Sequence, residues 1–133
     1  MKKTMAEEKQ EKKMVWIDDK GIICLNLGEK PSEEDVYKLL DELVRVFEDI
    51  GRKPKILIYV IPYLGPMLSN MELRERLIDE AKAILAGHEL DKVAVVGGDA
   101  VSRTITSFII RMSGFDNTEV FDNEEKARRW LEE

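Results

Sequence analysis

The chain predicts an α/β fold: a single domain built on a mixed sheet of about five strands, with four helices packed on it. Three observations lead there. Val93-Ala94-Val95-Val96 is apolar without alternation, and a strand apolar on both faces is usually buried on both, in a parallel sheet covered by helices. Lys55 to Ile61 (KILIYVI) is a second run of the same kind. Helical-period stripes with capping residues stand between and after these runs, the spacing of βαβ units.

In chain order, residues 1–13 (MKKTMAEEKQEKK) are polar, lack a helical stripe and read as a flexible N-terminal tail, leaving residues 14–133 as the domain. Met14 to Ile17 and Ile22 to Leu27 are apolar and β-rich. Asp18-Asp19-Lys20-Gly21 between them signals an antiparallel hairpin, with Gly21 able to take positive φ. Gly28 ends the second strand. Pro31-Ser32-Glu33-Glu34-Asp35 opens a helix, with Ser32 as cap, Asp35 in a capping-box place, and three acids at the positive end of the dipole. Val36, Leu39, Leu40, Leu43, Phe47 and Ile50 mark its buried face, and Gly51 and Pro54 stop it.

After KILIYVI, Pro62 to Leu68 is an uncharged loop whose two prolines and glycine exclude regular structure. Ser69 or Asn70 caps the next helix, whose stripe is Leu77, Ile78, Ala81, Ile84 and Leu85, with Gly87 as its stop. Gly97-Gly98 ends the VAVV strand and Asp99 stands at an N-cap. Val101, Ile105, Phe108, Ile109 and Met112 then form one apolar stripe; Ser102, Arg103, Thr104, Thr106, Ser107 and Arg111 read as the wet side. Gly114 is a C-terminal stop. Thr118 to Phe121 is a short strand, and Asp122 or Asn123 caps a last helix that turns Ala127, Trp130 and Leu131 inward.

Bulk properties narrow the function. With 133 residues, 44% apolar and 36% charged, the chain is a globular domain able to bury a real core. Its net charge is −6, with five Lys against three Glu in the first thirteen residues, so the body is at −8. That balance argues against nucleic acid and anionic membrane surfaces as partners, since both need clustered cations. No apolar run is long enough for a membrane span. The first fourteen residues are charged throughout and have no apolar signal-peptide core. Cys24 is the one cysteine, sits in an apolar strand and reads as a small core residue, so a cytoplasmic location is expected.

Chemistry-bearing sets are absent from the sequence. One His and one Cys cannot build a metal cluster, and His88 beside a helix stop reads as an exposed loop residue. Gly97-Gly98-Asp99 has neither GxGxxG nor GxxxxGK[ST] spacing and reads as a tight turn plus a cap. Glu33-Glu34-Asp35 and Glu124-Glu125 lie in first turns, where acids serve the dipole. No nucleophile-base pair, metal site or cofactor is readable, and a non-enzyme is expected.

Together the hairpin, the acidic helix, KILIYVI, VAVVG and above all EVFDNEEKARRWL resemble the SpoIIAA-like branch of the STAS domain family. The resemblance runs from Met14 onward. It is most specific at Glu119-Val120-Phe121-Asp122 followed by Glu124, Glu125, Ala127, Trp130 and Leu131. It implies a small α/β layer similar in shape to CRAL-TRIO lipid-transfer domains, with binding and regulation as its work. Anti-sigma-factor antagonists of the family carry an Asp-Ser pair, the serine being phosphorylated, at the start of the helix after the third strand. Here Leu68 stands before Ser69.

In an open α/β sheet, ligands favour the crevice beyond the carboxyl ends of the parallel strands. Two loops should lie there. Tyr63, Leu64, Met67, Leu68 and Met71 offer an adaptable apolar rim. Ser69, Asn70, Gly97, Gly98, Asp99, Ser102 and Arg103 surround two helix starts that suit an anion. The expected function is therefore a non-catalytic interaction module binding a protein partner or itself, as a homodimer, through residues 62–71. The alternative is a carrier of a lipid-like or anionic small molecule, with a pocket between that loop and the helix from Ala100 to Met112.

Overall fold

The structure is a computed structural model that describes residues 14–26, 32–50, 53–60 and 70–133. The predicted tail at 1–13, the strand ends at Leu27 and Ile61, the stops at Gly28 and Gly51, Pro31 and the loop Pro62 to Ser69 lie outside the described residues.

Five strands and four helices alternate as expected: β1 (Val15–Ile17), β2 (Ile23–Asn26), α1 (Glu33–Asp49), β3 (Lys55–Val60), α2 (Met71–Gly87), β4 (Lys92–Gly97), α3 (Ala100–Met112), β5 (Thr118–Val120) and α4 (Glu124–Glu132). They form one sheet in the order β1-β2-β3-β4-β5. β1 runs antiparallel to β2, and every later pair is parallel. The two long apolar runs are thus neighbours in one sheet, paired from Lys55 with Lys92 to Val60 with Gly97.

Local chemistry sets the ends of these elements. Asp18 Oδ1 accepts the Lys20 and Ile22 amides at 2.9 Å each, and Gly21 takes φ 79°, which closes the hairpin. Ser32 and Asp35 form a reciprocal capping box on α1. Of the alternatives for the other caps, Asn70 caps α2, Asp99 caps α3 and Asn123 caps α4. Gly114 turns the chain after α3 at φ 102°.

Register divides the side chains between two faces. Val15, Leu25, Ile58, Val95 and Val120 form one cross-sheet row, and Ile23, Ile56 and Val93 belong to a second on the same side. This side receives Leu39, Leu43 and Phe47 of α1, Leu77 and Ile78 of α2, and Ile105, Ile109 and Ile110 of α3. The row Trp16, Cys24, Leu57, Ala94 points the other way, where Ala127, Leu131 and Trp130 of α4 cover it with Phe121. β4 is therefore buried on both faces from Val93 to Val96.

The phase expected for α3 needs correction. Ser102 and Ser107, assigned to the wet side, are 1% and 7% exposed, whereas Val101, Phe108 and Met112 of the expected inner stripe are exposed. Only Ile109 of that stripe is fully buried, with Ile105 partly so. Small residues let the α3 backbone approach the sheet. The helix hides its hydroxyls by itself: Thr106 Oγ1 donates to the Ser102 carbonyl and Ser113 Oγ to the Ile109 carbonyl. His88, expected in an exposed loop, is half-buried with its ring 5.0 Å from that of Phe47.

Gly97 lies close against β3. It holds φ 81°, and a Cβ there would sit 2.9 Å from the Val60 carbonyl oxygen. Gly97→Ala is expected to destabilise the fold by about 1–3 kcal/mol, read as a lower midpoint in urea at unchanged slope, while Gly87→Ala, whose Cβ would meet nothing, is expected to leave the midpoint unchanged or higher.

Candidate functional site

The helix-covered face contains the feature with the clearest capacity to bind. α1 and α2 do not close completely over the sheet and leave an apolar chamber of about 190 Å³. Leu39, Leu40, Leu43 and Phe47 of α1 form one wall and Leu77, Ala81, Ile84 and Leu85 of α2 the opposite one. Ile56, Ile58, Val60 and Val93 supply the floor, and Ile109 and Ile110 of α3 the side. The α2 stripe predicted as core is the roof of this space. Leu73 is its fully buried residue, while Leu77, Ile78, Ala81, Ile84 and Leu85 are only half-buried.

Among the described residues, the chamber has no charged side chain in its lining. Thr106 and Ser113 reach it from α3, but both hydroxyl protons are spent on carbonyls of their own helix. Nothing there rewards an ion, and an uncharged hydrocarbon loses no hydrogen bond on entering.

The crevice residues are arranged differently. Tyr63, Leu64, Met67, Leu68 and Ser69 lie outside the described residues. Asn70, Met71, Gly97, Gly98, Asp99, Ser102 and Arg103 lie at the carboxyl edge of the sheet, and none of them lines the chamber. Asn70 Oδ1 accepts from the Glu72 and Leu73 amides, so α2 uses its own cap. Asp99 Oδ1 accepts from Ser102 N at 2.7 Å, and that bond above all lowers the Asp99 pKa. A carboxylate already sits where an anion would bind α3. Arg103 turns away from solvent anions and donates Nη1 to the Gly97 and Gly98 carbonyls at 3.1 and 3.2 Å.

Polar chemistry concentrates on the opposite face, under α4. Arg128 donates Nη1 to Asp18 Oδ2 at 2.6 Å, Nε to Glu124 Oε2 at 3.2 Å and Nη2 to the Tyr59 hydroxyl at 3.3 Å. Burial pushes the Asp18 carboxyl upward, but the Arg128 bond and the Ile22 and Lys20 amides outweigh it and bring its pKa below 3.8. Burial chiefly raises the Tyr59 phenol, and its contact with Glu124 adds to that. Cys24 is fully buried in the same layer and pushed up to about 11 by burial first and the Asp18 charge second. Such a thiol is no nucleophile near neutrality. This cluster was not legible in the sequence, because Asp18, Tyr59 and Arg128 lie far apart along the chain. Among the described residues no group of three His, Cys, Asp or Glu is placed to hold a metal ion, and no helix is long and apolar enough to cross a membrane.

The model of one protein family, described as SpoIIAA-like, matches residues 22–132. No curated protein and no solved structure matches the chain.

The Arg128 network predicts a signed pH effect. A carboxyl whose pKa falls on folding contributes stability above its unfolded value and loses that contribution as pH falls through the folded value. Asp18→Asn keeps the turn acceptor and removes the charge. It is expected to cost about 1–2 kcal/mol at pH 7, and the difference from wild type should begin to shrink near the ordinary carboxylate value of 3.8 and vanish only once the pH is below the lower folded value. Urea titrations of both proteins from pH 7 to pH 2 would measure it. Cys24 is expected to resist iodoacetamide in the native protein at pH 8 and to react fully in urea; mass spectrometry reads both.

Proposed function

The chain belongs to the SpoIIAA-like family, STAS-type domains that generally act by interaction and not by catalysis, and from that premise we propose that it is a non-catalytic binding module whose ligand is an uncharged, lipid-like chain held in the chamber beneath α1 and α2. One observation supports this above the others: an apolar space of about 190 Å³ whose lining carries no charge among the described residues. Proteins seldom leave such volume open in a core of this size, because unfilled space forfeits dispersion contacts. α1 and α2 close it as two separate amphipathic helices, and such elements can part without breaking the sheet. A polar head, if the ligand has one, stays outside the chamber, since no charged group among the described lining residues can pair with it.

Binding of a protein partner is the second reading. It is favoured by Met71, which stands 62% exposed at the start of α2, on the expected rim. In this reading the ligand and the partner share the α2 end of the molecule.

The test is occupancy against a filled chamber. Wild-type protein is expected to bind a fluorescent fatty acid such as cis-parinaric acid, or to carry a retained apolar mass in native mass spectrometry. Ala81→Phe, which puts a ring into the space, should lower that affinity at least tenfold, about 1.4 kcal/mol, with the melting temperature held or raised. A variant that folds and binds the probe as well as wild type would sink the proposal.

A further inference from the structure

A second space adjoins the chamber. A pocket of about 330 Å³ lies where α1 and α2 end, beyond the amino ends of β3 and β4, with Pro54, Gly87, His88 and Glu89 in its lining. Phe47 lines both spaces. Along each helix the chain passes from one space to the other: Leu43 and Ile84 belong to the chamber, Ile50 and Gly87 to the pocket. The Phe47 ring is thus a wall common to both. It is 4% exposed, and its ring lies 5.0 Å from that of His88 at a tilt of 35°. Turning it breaks one aromatic contact and no hydrogen bond.

The two spaces differ in chemistry as the two ends of an amphiphile do. The described chamber lining carries no charge, whereas the pocket has Lys53, His88 and Glu89. Lys53 Nζ lies 3.3 Å from Glu89 Oε2, so the two opposite charges in the described lining offset each other. Neither α1 nor α2 has a basic residue in its last turn. Among the described residues no capping bond closes α2 at His88. Open carbonyls of a last turn accept hydrogen bonds, and the negative end of a helix dipole opposes an anion. An ammonium would meet Lys53. An uncharged head that donates hydrogen bonds avoids both conflicts, and hydroxyls supply it.

We propose that this pocket is the head-group site of the chamber's ligand, and that the ligand is a single-chain lipid with an uncharged hydroxyl head, of the monoacylglycerol class. The inference rests on the chamber reading and adds the head to it. It puts the head at the amino edge of the sheet, away from the carboxyl-edge crevice.

Displacement of cis-parinaric acid from the full chain at pH 7 tests it, using 1-decanoylglycerol, decanoate, decylamine and methyl decanoate as competitors of one chain length. Decanoylglycerol should bind about tenfold more tightly than the other three, as one or two added hydrogen bonds allow. Gly87→Phe puts a ring into the pocket at a position where a Cβ meets nothing within 4 Å. It should remove the advantage of decanoylglycerol and leave methyl decanoate bound as in wild type. Equal binding of the four by wild type, or tighter binding of decanoate or decylamine, would overturn the head assignment and leave the chamber standing. So would a folded Gly87→Phe variant that keeps the preference. Wild type that binds neither the probe nor any of the four would overturn the chamber reading, and this inference with it.

Discussion

Burial of β4 on both faces is the constraint from which the rest of the molecule follows. Val93 and Val95 demand cover on one side and Ala94 and Val96 on the other, and all four are essentially removed from water. A strand in that position must have neighbours in the sheet, which β3 and β5 provide, and a layer above and below. The sheet then advances in one direction, β2 to β3 to β4 to β5, with a helix in each crossover. Crossovers of one hand that step in one direction put their helices on one face. α1, α2 and α3 therefore share a side, and the other side is left to whatever follows β5. That is α4.

This asymmetry has a geometric consequence. Strands stand about 4.8 Å apart, so the outer two of five are about 19 Å from one another. Three helices about 10 Å across set their outer axes roughly 20 Å apart, so they match the width of the sheet with nothing to spare. α3, the last of the three, lies over its β5 edge with Arg111 Nη2 bonded to the Thr118 carbonyl at 2.7 Å, and its outer flank has no strand beneath it. The exposed Val101, Phe108 and Met112 are on that flank. α1 and α2 span the rest, and the space they fail to close is the chamber. The open helix flank is thus a result of the place of α3 at the sheet edge.

Most of the architecture was legible because it depends on signals within a few residues of each other. VAVV, KILIYVI, the Asp-Asp-Lys-Gly turn and the Ser32–Asp35 box each state a local preference that the tertiary fold leaves in place. Family resemblance and mixed-sheet order were legible for the same reason. The phase of α3 was not. Ile105 and Ile109 are common to two apolar arcs, one completed by Val101, Phe108 and Met112 and the other by Ser102, Ile110 and Ser113. Hydrophobicity favours the first, while close approach to a flat sheet favours the small residues of the second. The chamber was illegible for another reason. An apolar stripe on α2 says which way the helix faces, but not how far it stands from the surface opposite. The Arg128 network joins residues some seventy and more positions apart, a distance across which spacing carries no information.

The two faces also differ in how firmly they are held, and that difference bears on function. α4 has nine residues, too few for a helix to persist alone in water. Its position is fixed by contacts that reach into the sheet. Arg128 joins it to the hairpin through Asp18 and to β3 through Tyr59, while Lys92 Nζ donates to the Trp130 and Glu133 carbonyls at 2.9 and 3.1 Å. Ala127 and Leu131 fill the layer beneath it with no exposed surface. Across the sheet, α2 is half-buried along its stripe and lies over an open space. Local opening is drawn from regions with few buried contacts, so opening of this fold belongs to the α1–α2 layer, with the sheet and α4 as the frame beneath it.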